Sequence, residues 1–212
     1  MSEVASTVFV VDDDDAVCRA LTRLIRSAGY YVESFGSARE FLESYPHFEG
    51  CACLVLDVGL PDISGLELQN ELNALNRSLP IIFITGRGDI AMTVSAMKAG
   101  ATDFLAKPVR DADLLSAIKT ALRNSSQALA SRIELGSIQS RLARLTPRER
   151  EVLALLLEGR LNKQVACELG IAEKTIKIHR ARVMEKMEVH SLVELVRVID
   201  KVRIPLSPGQ SA

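Results

Sequence analysis

No apolar run in the sequence approaches the roughly 18 residues that a membrane-spanning helix requires, so no membrane span is expected. The first residues, Met1-Ser2-Glu3, lack the basic and then apolar segments of a signal peptide, which predicts a cytoplasmic protein. Cysteine is scarce as well, with four thiols in 212 residues. Cys18 and Cys167 fall at apolar helical positions, Cys51 and Cys53 flank Ala52 at a strand start, and no nearby His or second Cys pair completes a zinc set. They read as reduced thiols. Strong net charge is also missing, but the total of -1 conceals an asymmetry. Residues 1–140 carry 12 Lys and Arg against 18 Asp and Glu, whereas residues 141–212 carry 14 against 9, giving -6 and +5. An acidic half joined to a basic half suggests two partners of opposite sign, with nucleic acid the natural candidate for the basic one. At this length two domains can each bury a core.

What the sequence does contain is an alternation of strand-like and helix-like segments. Thr7-Val8-Phe9-Val10-Val11 is a short apolar run that stops at four aspartates, Asp12 to Asp15. Apolar residues then recur at helical spacing from Val17 to Ala28, and Gly29 closes that helix. Further strands are expected at Tyr31 to Phe35, Cys53 to Asp57, Pro80 to Ile84 and Thr102 to Ala106, each followed by a helix. Five such units within about 120 residues predict an α/β fold with a doubly wound five-stranded parallel sheet. The polar residues at the strand ends then fall on one edge: Asp12 and Asp13, Asp57, Thr85 and Lys107. In such sheets ligands bind outside the carboxyl ends of the strands. Taken alone, Asp57 reads more readily as a turn-capping acid, whereas the convergence of four strand ends favours a chemical site.

Adjacent carboxylates across from a third suit a hard divalent cation such as magnesium. An ion there would offset the charge of a phosphoryl group and orient it for attack by an Asp57 oxygen. Lys107 offers a point charge to phosphoryl oxygens and Thr85 a hydroxyl. Asp14 and Asp15 read as first-turn helix acids. An aspartyl phosphatase is the enzymatic alternative, but it would want a second acid two residues beyond the nucleophile, where Gly59 stands.

The order Val11-Asp12-Asp13, then Leu56-Asp57-Val58-Gly59-Leu60-Pro61-Asp62-Ile63-Ser64-Gly65, then Ile84-Thr85-Gly86, Ala99 to Phe104, and Lys107-Pro108, resembles the receiver domain of bacterial two-component response regulators. The resemblance implies a flavodoxin-like fold over residues 5–124 with Asp57 as phosphoacceptor. It implies Asp12, Asp13, Asp57 and the Gly59 carbonyl around magnesium, or manganese in its place, with Thr85 as switch hydroxyl and Lys107 as phosphoryl partner. It also implies a cis peptide before Pro108 and places Phe104 at the aromatic switch position. Phe104, lacking a hydroxyl, could report the switch only by packing inward or outward.

The basic half reads as helical throughout. Thr146-Pro147-Arg148-Glu149 has capping-box spacing with Pro at the first helical position, and the helix it opens runs to Leu157. Ala166 and Gly170 then allow two helices to approach and turn, the pattern of a helix-turn-helix. The second helix presents Lys174, Thr175, Lys177, Arg180 and Arg182 around an apolar seam of Ile176, Val183 and Met187, as a groove-reading helix needs. Residues 125–144 are expected to form a helical linker with Gly136 as a candidate interruption, and residues 204–212 a disordered tail.

Residues 145–203 resemble the LuxR/NarL-type DNA-binding domain, an all-α four-helix unit, and the whole chain is similar to the FixJ group of response regulators, styrene-pathway regulators included. This resemblance places Lys174, Thr175, Lys177 and Ile178 toward the major groove, and His179 and Arg182 near the DNA backbone. It implies a transcription factor, with slow autodephosphorylation as its only catalysis. The implied partners are a sensor histidine kinase, double-stranded promoter DNA, RNA polymerase and, on phosphorylation, a second copy of the chain.

Overall fold

The computed structural model describes residues 6–45, 48, 50–75, 79–86 and 90–203, so the expected tail at 204–212 lies outside the described residues. The chain divides after Ala130 into two compact units. In the first, β1 (Thr7–Val11), β2 (Tyr31–Phe35), β3 (Ala52–Asp57), β4 (Ile81–Thr85) and β5 (Asp103–Ala106) pair in parallel in the order β2-β1-β3-β4-β5. Helices α1 (Asp15–Ser27), α2 (Ala38–Ser44), α3 (Gly65–Ala74), α4 (Ile90–Lys98) and α5 (Asp111–Ala143) follow the strands in turn. This is the expected doubly wound α/β sheet.

Strand alternation sorts the core into two layers. Phe9, Val11, Leu54, Leu56 and Phe83 point to one face, where they meet Phe41, Leu68, Leu72 and Ala96 of α2, α3 and α4. Val8, Val10, Cys53, Val55, Ile82 and Ile84 point to the other, against Leu21 and Ile25 of α1 and Leu114 and Ile118 of α5. Burial on both faces is why the central strands read as continuous apolar runs. Both Cys51 and Cys53 are buried, and burial drives the Cys53 thiol pKa far up, with Cys51 adding to the shift.

Helix α1 begins one residue later than the reading of Asp14 as a first-turn acid suggested. Asp14 is the N-cap itself, accepting from Ala16 N–H at 2.7 Å and Val17 N–H at 3.3 Å, and Asp15 alone of the pair is a first-turn acid. Helix α5 runs for 33 residues into the expected helical linker, and Gly136, the candidate interruption, does not break it. The cost of a mid-helix glycine is about 1 kcal/mol, and tertiary packing outweighs it: Ile138, two residues on, is buried with Leu145, Leu153, Val183, Met187 and Leu195.

The second unit adds α6 (Pro147–Leu157), α7 (Asn162–Leu169), α8 (Glu173–Met187) and α9 (Leu192–Arg203). The capping box at α6 is present, with Thr146 Oγ1 accepting from Glu149 N–H and Glu149 accepting from Thr146 N–H. Gly170 ends α7 in the left-handed conformation, φ 66°, which is the turn expected of it. Cys167 lies on the outside of α7, not on its apolar face as its spacing implied.

Candidate functional site

Register alone brings the strand-end residues of the first unit together. Val11 pairs with Leu56, Asp57 with Ile84 and Thr85 with Ala106, so Asp12, Asp57, Thr85 and Lys107 all fall at one sheet edge. β1 and β3 are the neighbours from which the chain winds outward in opposite directions, so Asp12 and Asp57 flank the topological switch point. Both are buried, at 1% and 7% exposure, and Thr85 is buried beside them.

Lys107 joins the two carboxylates. Its Nζ lies 2.7 Å from Asp12 Oδ2 and 2.9 Å from Asp57 Oδ1. Burial works against the ammonium charge, but hydrogen bonds to Asp12 and Asp57 and their charges outweigh it and hold the lysine pKa above its ordinary value. The remaining carboxylate oxygens meet backbone donors: Asp14 N–H donates to Asp12 Oδ1 at 3.0 Å, and Gly59 N–H to Asp57 Oδ2 at 2.9 Å. The Lys107–Pro108 peptide is cis, as expected. Phe104 is half-buried, its ring 6.0 Å from that of Phe83.

Two of the expected metal ligands, Asp12 and Asp57, thus converge on one point, and Gly59 lies against Asp57. Asp13 is exposed next to them, and among the described residues no three acidic, Cys or His side chains gather as a ready cluster. The two carboxylates are hard oxygen donors that fit an ion able to fill its other positions with water.

Three supports of this site were not legible beforehand. Gly65 opens α3 so close to β3 that an added Cβ would lie 2.6 Å from the Asp57 carbonyl oxygen, so only glycine fits. Asp62 reaches back to the start of α2, accepting from Arg39 N–H at 2.9 Å and Ala38 N–H at 3.4 Å. Burial opposes the Asp62 charge, but these backbone donors prevail and lower its pKa. Cys18 Sγ donates to the Asp12 carbonyl at 3.3 Å, and burial together with Asp12 raises its pKa. None of these could be inferred from helical or strand periodicity, because each depends on how the chain turns back at the sheet edge.

In the second unit, Ile176, Val183 and Met187 of α8 are fully buried, as the seam predicted. Lys174, Lys177, Ile178 and Arg182 are exposed and recur at three- and four-residue spacing, which places them on one helix face. Thr175 and His179 are half-buried, and His179 Nδ1 has no hydrogen-bond partner among the described residues. Arg180 does not stand free on this face: it donates to Asn162 Oδ1 at 3.1 Å and joins α8 to α7. Glu149, read from sequence as a cap, also accepts from Lys186 Nζ at 2.7 Å. Chiefly that lysine, with Thr146 N–H, lowers the Glu149 pKa to about 2.

The family described as response regulator receiver domain matches residues 8–119, and that described as bacterial regulatory proteins of the luxR family matches residues 143–199. The response regulator protein TmoT of Ectopseudomonas mendocina is 45% identical over 96% of this chain and 92% of its own. The transcriptional regulatory protein FixJ of Azorhizobium caulinodans is 44% identical over 90% of each chain. Among solved structures, that of the response regulator StyR superposes with a TM-score of 0.85 at 47% identity, over 93% of this chain and 99% of the other. The chain belongs to the two-component response regulators that join a receiver domain to a LuxR-type DNA-binding domain.

Proposed function

We propose that this regulator is switched by phosphorylation of Asp57 and that its second unit then binds promoter DNA as part of a homodimer. The observation that carries this reading is the pair of buried strand-end carboxylates, Asp12 and Asp57, held by one lysine ammonium. With a sensor histidine kinase as donor, an Asp57 oxygen attacks phosphorus in line. An O–P bond forms as the P–N bond to the kinase histidine breaks, leaving an aspartyl phosphate. Lys107, already beside Asp57, turns its charge to the phosphoryl oxygens, and the Thr85 hydroxyl moves to hydrogen-bond them. Phe104 repacks into the space that Thr85 vacates. Magnesium or manganese held by Asp12, Asp13, Asp57 and the Gly59 carbonyl would offset the phosphoryl charge. Slow autodephosphorylation, with water taking the phosphoryl group from Asp57 as inorganic phosphate, resets the switch.

The change is read out on α4, where Ile90, Val94 and Met97 stand exposed at helical spacing as an apolar stripe. A second copy pairing through this stripe and β5 gives a dimer matched to two DNA half-sites. On each α8, Lys174, Thr175, Lys177 and Ile178 meet the major groove while His179 and Arg182 meet the backbone. The bound dimer acts on RNA polymerase in the cytoplasm. No helix among the described residues is long and apolar enough to cross a membrane.

Intact-mass measurement after acetyl phosphate and magnesium treatment tests the central step. Wild-type protein gains one phosphoryl group and Asp57→Asn gains none; equal labelling of both contradicts the assignment.

A further inference from the structure

The C-terminal end of α8 is held by the end of α5 and the residue that follows it, and one of the residues involved, Arg141, lies just before the residues 143–199 that match the luxR family. Arg141 of α5 donates from Nη1 to the carbonyl of Met187, the last residue of α8, at 2.8 Å. In the other direction, Lys186 of α8 donates to the carbonyl of Arg144, just past the end of α5, at 3.2 Å. Arg141 is largely buried, with 17% of its side chain exposed; its Nη2 lies 3.5 Å from Ser137 Oγ, its Nε has no hydrogen-bond partner among the described residues, and the bond to the Met187 carbonyl is its shortest. Its charge sits where the α8 dipole is negative. The C-cap that follows, Glu188, adopts a left-handed φ of 57° without being glycine, and its carboxylate lies 3.9 Å from Arg141 and 3.6 Å from Arg144. Ile138, one turn before Arg141, is buried against the same end of α8 through Val183 and Met187.

We infer that Arg141 is a positioning residue for sequence-specific DNA recognition, acting through the Met187 carbonyl to fix the tilt of α8. The inference rests on the reading that α8 enters the groove. Lys174 lies thirteen residues before Met187, roughly 20 Å along the helix at 1.5 Å per residue. A tilt of about 5° at the cap moves the Lys174 end by about 1.7 Å, more than the tolerance of a hydrogen bond to a base edge. Contacts to phosphates are longer-ranged and survive such a shift. Loss of Arg141 therefore removes discrimination between sequences while leaving general attraction to DNA.

The experiment uses the full chain treated with acetyl phosphate. Wild-type protein selects duplexes from a random-sequence library, and affinities for the enriched duplex and for an unselected random duplex are then compared at one salt concentration. Arg141→Gln and Arg141→Met are measured beside Arg144→Gln, which removes the same charge from an exposed position. The inference expects both Arg141 variants to bind the enriched duplex about tenfold more weakly, the scale of one mismatched base pair. Their affinity for the random duplex and the thermal midpoint of the second unit stay near those of Arg144→Gln. If the Gln variant fails to fold, the Met variant, which keeps the packed stem, decides. An unchanged affinity ratio overturns the inference while leaving DNA binding intact, and a parallel fall in both affinities with a lost melting transition overturns it in favour of a purely structural cap. Failure of the wild type to enrich any sequence removes the underlying reading of α8 itself.

Discussion

At the scale of single residues, the site depends on charges whose burial is tolerated only in company. Lys107→Ala leaves Asp12 and Asp57 facing each other without a cation, and the expected cost is about 3 kcal/mol, the low end of the range for breaking a buried pair because the lysine is partly exposed. Urea unfolding of the first unit at pH 7 measures it. Lys107 holds a pKa above the ordinary 10.5, so its contribution is complete below that pH and fades as pH rises through the higher folded value. The wild-type and Ala unfolding curves therefore approach each other on the alkaline side; a gap that widens there contradicts the account. Gly65→Ala meets a backbone oxygen that cannot move aside cheaply, so both the melting temperature and acetyl phosphate labelling should drop. Asp57 and Lys107 were legible in the sequence because the parallel sheet brings several polar strand ends to one edge, although either residue alone has a bland explanation. Gly65 was not, because its necessity arises from a contact between α3 and β3 that no local pattern encodes.

At the scale of elements, capping chemistry made most boundaries legible, and packing accounts for the exceptions. The Thr146 to Glu149 box located α6 correctly, yet the same glutamate carries a second task through Lys186 of α8. Glu149 is depressed to about 2 in the folded chain, so its contribution is present above the unfolded carboxylate value near 4.5 and is lost as pH falls toward 2. Glu149→Gln should accordingly lower the second unit's midpoint at pH 7 but approach wild type as pH falls from about 4.5 and converge with it near pH 2, as followed by circular dichroism. A constant difference across that window would rule out the ion pair as the cause. Gly136 misled in the other direction, since a glycine predicts a break only where nothing packs beside it, and Ile138 is buried two residues on. The exposed stripe of α4 gives its own test: Val94→Asp should still be labelled at Asp57 but lose phosphate-dependent dimerisation in sedimentation velocity. Dimerisation at the wild-type level would exclude α4 as the contact.

At the scale of the whole molecule, an acidic α/β unit and a basic helical unit share one chain, and the charge asymmetry visible in the sequence maps onto them. The first unit holds the Asp12, Asp57 and Lys107 cluster and the second the exposed cationic face of α8, and the proposed phosphorylation of Asp57 would act through DNA occupancy. Family likeness makes both units legible at once, whereas base preference depends on side-chain placement along α8 that motifs do not encode. The most direct measurement compares genome-wide DNA footprints of wild-type and Asp57→Asn protein in cells expressing each at equal level. The account predicts a set of discrete promoter sites occupied by the wild type and largely lost in the variant. Identical footprints for the two proteins would contradict it.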